Sequence, residues 1–105
     1  MSQIQLTDAD NGTTVRAAVS DEIEVRLSEN PTTGFQWMRG NVDQGMLRVD
    51  SDEFVPAHGD IGAGGVHVFR FTVTAAGSSD LSLNLSRGSH APPAQQFRVN
   101  IVARA

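Results

Sequence analysis

The stretch Glu22-Ile23-Glu24-Val25-Arg26-Leu27-Ser28 decides the fold. Apolar residues take every second position, with charged or hydroxyl residues between them. That is the period of a strand with one face on a core and the other in water. The same alternation returns at Phe69-Phe71-Val73 and at Leu81-Leu83-Leu85, with Ser82, Asn84 and Ser86 opposite the leucines. It appears again at Phe97-Val99-Ile101, with Arg98 and Asn100 on the other face. Weaker strands are read over 4–7, 14–19, 35–39 and 47–54. No segment keeps a helical spacing, so no crossover helix is available to build a parallel sheet.

The runs are separated by turn chemistry at Asp10-Asn11-Gly12, 30–34, Gly40-Asn41, 59–65, Ala76-Gly77-Ser78 and 87–93. The expected fold class is therefore all-β, an immunoglobulin-like antiparallel β-sandwich of seven to eight strands. With 105 residues and 11.2 kDa, it forms one domain over residues 1–105. Cysteine is absent, which removes disulfides, thiolate metal sites and cysteine nucleophiles.

Twelve acidic residues face eight basic ones, all arginine, for a net charge of -4 without a basic cluster. Phosphate neutralisation has no footing here, so nucleic acid is not an expected partner. No run of apolar residues is long enough for a membrane span, and the first ten residues carry no export signal. Membrane is not an expected partner either. The chain as it stands reads as cytoplasmic, or as exported if a leader has been removed, and as a monomer when free.

Catalytic signals are thin. His58, His67 and His90 lie far apart without metal-ligand spacing, so a solvated role is expected and no metal or cofactor is implied. No Gly-x-Ser-x-Gly elbow is present. Gly62-Ala63-Gly64-Gly65 precedes a strand-like run and no lysine exists to complete a phosphate loop. The chain is not expected to be an enzyme.

Strand parity concentrates interest at one end. Successive antiparallel strands reverse direction, so the connections after 22–28, 47–54 and 80–86 emerge together. They hold Asn30-Pro31-Thr32-Thr33-Gly34, then Ile61 and Gly62-Ala63-Gly64-Gly65, then Arg87-Gly88-Ser89-His90-Ala91-Pro92-Pro93. Three loops on a rigid scaffold make a candidate binding edge. In the first, Pro31 fixes its own φ and extends Asn30, the threonines are stiff at χ1, and Gly34 can take a positive φ. A preorganised loop loses little entropy on binding. The plainer reading, a well-built turn followed by core aromatics, stays open, and Trp37 reads as core.

Asn30-Pro31-Thr32-Thr33-Gly34-Phe35 through Trp37 resembles the first motif of the chagasin-type inhibitors of papain-like cysteine peptidases. Gly62-Ala63-Gly64-Gly65 resembles their second motif, in the same order and at a matching separation. The resemblance runs from the Asn11-Gly12 turn to Phe97-Arg98-Val99. The third motif departs: an Arg-Pro-aromatic triplet in the family stands here as Arg87-Gly88-Ser89. The arginine is kept, the aromatic is lost, and His90 is the candidate replacement.

The resemblance implies a reversible, tight-binding inhibitor whose partner is a papain-like cysteine peptidase and which plugs the active-site cleft. Thr32, Thr33 and Gly34 would lie nearest the catalytic cysteine, flanked by Asn30, Pro31 and Phe35. Gly62, Ala63, Gly64 and Gly65 would meet one wall by backbone, with Arg87 and His90 on the other. No covalent step is implied. The lost aromatic would cost about 2 kcal/mol or more, roughly thirtyfold in affinity. The competing reading is an immunoglobulin-like adhesion or carbohydrate-binding module, which would expose aromatic side chains.

Overall fold

The computed structural model describes residues 2–57, 64–88 and 91–105. Alternation becomes strand throughout them. The strands are β1 (Gln3–Thr7), β2 (Thr14–Ala18), β3 (Glu22–Glu29), β4 (Gln36–Arg39), β5 (Leu47–Pro56), β6 (Gly65–Val73), β7 (Gly77–Ser86) and β8 (Gln95–Arg104). Two sheets of four form, ordered β1-β3-β6-β5 and β2-β8-β7-β4, which realises the expected sandwich. β4 opens at Gln36, one residue after the expected start, and Gly77 and Ser78, read as turn, open β7.

The pairings β3–β6, β6–β5, β7–β8 and β4–β7 are antiparallel as expected. The edge strands β1 and β2 differ, pairing parallel with β3 and β8. The reason is connectivity rather than a crossover helix. A one-turn 3-10 helix at Asp8–Asp10 carries the chain from one sheet to the other. The strand lying between β1 and β3 in sequence therefore belongs to the opposite sheet. Odd-numbered strands consequently all run towards one end of the sandwich and even-numbered strands away from it.

The core lies between the sheets. Ile23, Val25 and Leu27 of β3, Phe69 and Phe71 of β6, Leu81 and Leu83 of β7 and Ile101 of β8 are completely buried. The charged face of β3 is also partly covered. Arg70 Nε donates to Glu24 Oε2 at 3.0 Å and Arg26 Nη1 to Glu24 Oε1 at 3.3 Å, so Glu24 is buried beneath two guanidinium groups.

β5 carries the one register shift that bears on function. Leu47 and Val49 stand opposite the core-facing Val73 and Phe71. After the shift at Asp50, it is Asp52 and Phe54 that stand opposite Phe69 and His67. Directly opposed residues share a sheet face, so the bulge reverses parity and turns Asp52 inward.

Candidate functional site

Three connections meet where the odd strands end. Glu29 and Pro56 both stand opposite Gly65 in the first sheet; in the second, Gln36 stands opposite Ser86 and Leu85 opposite Gln95. The chain crosses between the sheets through 30–35, so these ends coincide. The 57–64 connection touches the first loop at Gly64, where a Cβ would lie 3.1 Å from the Glu29 carbonyl oxygen and 3.5 Å from Asn30 Cβ. The 87–94 connection touches it at Arg87, whose Cζ sits 4.7 Å from the centroid of the Phe35 ring. Of the sequence-predicted site residues, Asn30, Pro31, Thr32, Thr33, Gly34, Phe35, Gly64, Gly65 and Arg87 are brought together. Gly62, Ala63 and His90 lie outside the described residues, as does His58.

The first loop is built from its own side chains. Asn30, extended at φ -125°, caps a 3-10 turn over Pro31–Thr33, and its Oδ1 accepts from Thr32 N at 3.1 Å and from Thr32 Oγ1 at 2.7 Å. Thr33 Oγ1 donates to the Asn30 carbonyl at 2.8 Å and accepts from Phe35 N at 3.3 Å. Gly34 closes the turn at φ +82°, its N–H donating to the Pro31 carbonyl at 3.0 Å. Both threonine hydroxyls therefore donate inward and offer a partner acceptor lone pairs rather than protons. Pro31, Thr32, Thr33 and Gly34 are all exposed.

The loop's two stems are stapled across the sheets. Trp37 N donates to Glu29 Oε1 at 2.6 Å, and Trp37 Nε1 donates to the Ser28 carbonyl at 2.9 Å. Trp37 is 3% exposed, which confirms it as core. Glu29 Oε1 also lies 3.0 Å from His67 Nδ1, and His67 Nε2 lies 2.5 Å from Asp52 Oδ1. Asp52 Oδ2 in turn forms an ion pair with Arg39 Nε at 3.1 Å. The expectation of a solvated His67 is corrected here: the ring is 3% exposed and stacks on Phe69 at 4.4 Å. His67 shares the parity of Phe69, Phe71 and Val73, which is the signal that could have found it.

The glycines of the second loop serve the fold directly. Gly64 has φ +79°. At Gly65 a Cβ would collide with the Val55 carbonyl oxygen and lie 2.8 Å from Pro56 Cα. Glycine here lets β5 and β6 close tightly below the loop, a requirement within the chain itself. In the third loop, Ser86 Oγ donates to the Gly88 carbonyl at 3.1 Å and Ala94 N to the Leu85 carbonyl at 2.7 Å. Among the described residues, no group of three or more His, Cys, Asp or Glu side chains is placed to hold a metal ion.

The first loop suits contact with another macromolecule, because its tip is exposed, held by its own hydrogen bonds and fixed to a packed core. Comparison with known proteins gives the family. Chagasin from Trypanosoma cruzi is 33% identical over 106 residues, covering 96% of each chain. The cysteine protease inhibitor EhICP2 from Entamoeba histolytica superposes with a TM-score of 0.86 at 21% identity, covering 99% of this chain and 97% of that one. PbICP-C, solved in complex with falcipain-2, superposes at 0.66 with 10% identity, covering 96% and 88%. These two likenesses establish the shared fold. The profile of Chagasin family peptidase inhibitor I42 matches residues 16–101, and the chain belongs to that family of peptidase inhibitors rather than to the enzymes.

Proposed function

We propose that this chain is a reversible, tight-binding inhibitor of papain-like cysteine peptidases that occludes the active-site cleft with its three-loop edge. The observation that carries this reading is the first loop. It has four exposed residues at the tip, internal hydrogen bonds at every turn, and stems stapled from one sheet to the other. A cleft that binds extended substrate backbone is filled most cheaply by a segment already ordered, since little entropy is lost on docking. Thr32, Thr33 and Gly34 sit nearest the catalytic cysteine. Gly64 and Gly65, with Gly62 and Ala63, flank one side, and Arg87 with His90 the other.

The names of the relatives support the peptidase class: EhICP2 is a cysteine protease inhibitor and PbICP-C was captured on falcipain-2. The adhesion or carbohydrate-binding alternative calls for an exposed aromatic. Trp37 is buried and Phe35 lies under Arg87.

Titration of active-site-counted papain with the purified chain tests the proposal. Activity should fall to completion, and return on dilution with the inhibitor uncut. No inhibition of papain or a cathepsin-type peptidase at micromolar concentration would overturn it.

A further inference from the structure

A chain of polar contacts runs below the loops and begins and ends on the same short strand. Trp37 N of β4 donates to Glu29 of β3; Glu29 faces His67 of β6; His67 faces Asp52 of β5; Asp52 pairs ionically with Arg39, again on β4. β4 is four residues long, lies at the edge of its sheet, and receives the chain directly from the first loop. The polar contacts fasten it to the opposite sheet.

Stability alone does not call for this arrangement. His67 and Glu29 are 3% and 6% exposed, and well-packed apolar side chains in place of buried ionic groups are often neutral or stabilising. What the ionic version supplies is direction: one carboxylate oxygen, Glu29 Oε1, is held where it meets both the Trp37 N–H and the His67 ring. The ring has a carboxylate oxygen at each nitrogen, and it can donate to both only when both nitrogens carry a proton. Loss of one proton leaves a nitrogen lone pair facing an oxygen.

We propose that His67 is a positioning residue for the peptidase-binding edge: held between Glu29 and Asp52, it fixes the carboxylate that closes the base of the first loop. The ring itself is buried and acts on the loop through Glu29. The groups facing the ring are Glu29 from β3 and Asp52 from β5, with Arg39 of β4 behind Asp52 and Phe69 stacked on its face. This inference rests on the inhibitory reading for its consequence, and not for its geometry.

The test combines two readouts on the whole chain. Amide signals of Trp37 and of Thr32 to Phe35 are followed by NMR against pH, beside the His67 ring signals. The inhibition constant for papain is measured for wild type, H67Q, E29Q and E29A. In wild type the amides should move in one step together with the His67 ring, and H67Q should abolish that step. H67Q should also weaken inhibition at least tenfold, chiefly through faster dissociation. E29Q keeps an acceptor oxygen for Trp37 N–H and should retain more inhibition than E29A.

Amides that ignore the His67 titration overturn the proposal, as does an H67Q variant that melts lower yet inhibits like wild type. If H67Q does not fold, the wild-type titration decides alone. A wild-type chain that leaves papain active overturns the inhibitory function, and the coincidence or independence of the amide and ring titrations still decides whether His67 positions the loop.

Discussion

The guanidinium of Arg87 lies over the ring of Phe35, 4.7 Å from its centroid, and this contact joins the third loop to the first. A cation over an aromatic face at an exposed site is worth about 0.5–1 kcal/mol. Here it orders two loops with respect to each other. Arg87→Ala should weaken papain inhibition at least about two- to fivefold from this tie alone, with little change in Tm. Arg87→Lys keeps the charge but not the flat guanidinium and should fall between. Inhibition constants for the three proteins check this; an unchanged constant for Arg87→Ala would show that the tie orders nothing the peptidase meets.

Gly34 is at φ +82°, a region that costs an L-residue roughly 1–2 kcal/mol. Gly34→Ala should lower Tm by several degrees or shift the loop to relieve the strain, and either response weakens inhibition. Gly88→Ala is the control, since a Cβ there meets nothing within 4 Å among the described residues and should leave Tm nearly unchanged. Differential scanning calorimetry and peptidase titration of the two variants decide the matter.

Thr33 combines two roles that substitutions can separate. Its hydroxyl bridges the Asn30 carbonyl and the Phe35 N–H, while the residue itself is exposed at the tip. Thr33→Val removes both bonds at nearly constant shape, each worth about 0.5–1.5 kcal/mol net. It should loosen the loop and weaken inhibition about tenfold. Thr33→Arg loses the same hydroxyl and adds a bulky charge on the tip, so it should abolish inhibition with a Tm close to that of Thr33→Val. Inhibition by Thr33→Arg equal to that of Thr33→Val would make Thr33 a structural residue only.

The legible part of this protein is whatever a period of two can express. Ile23, Val25 and Leu27 predict their own burial, and parity alone groups the three loops at one end. The parallel outer pairings escape that reading, because alternation says nothing about which sheet a strand joins. Asp52 escapes it because the bulge at Asp50 reverses the parity of β5 midway, so Leu47 and Val49 point inward by odd numbers and Asp52 and Phe54 by even. Glu29 and His67 escape it for a chemical reason. Ionisable residues on strands are ordinarily solvated, and only their mutual proximity, a tertiary fact, makes their burial tolerable.

Acid should reveal the fastenings of the scaffold. Asp21, at the end of the sandwich away from the three loops, accepts from Ser2 N and from Ala18 N, both at 2.9 Å. These backbone bonds, that from Ser2 foremost, hold its carboxyl below the ordinary aspartate value of 3.8. Asp80 is lowered likewise, first by Arg98 at 2.6 Å and then by Asn100. A carboxylate whose folded value is depressed binds its proton more weakly folded than unfolded. Its stabilisation is therefore present above the unfolded value and lost as the pH falls through the folded one. Asp21→Asn places an amide nitrogen against one of the two backbone N–H groups and should lower the urea midpoint at pH 7. As the pH falls below 4 the wild-type side chain becomes a neutral acid, and the gap between the two proteins should close. Urea titrations of both at pH 7, 4 and 2 measure it. A gap that persists undiminished at pH 2 would mean that the lost hydrogen-bond geometry, and not the charge, accounts for the effect of the substitution.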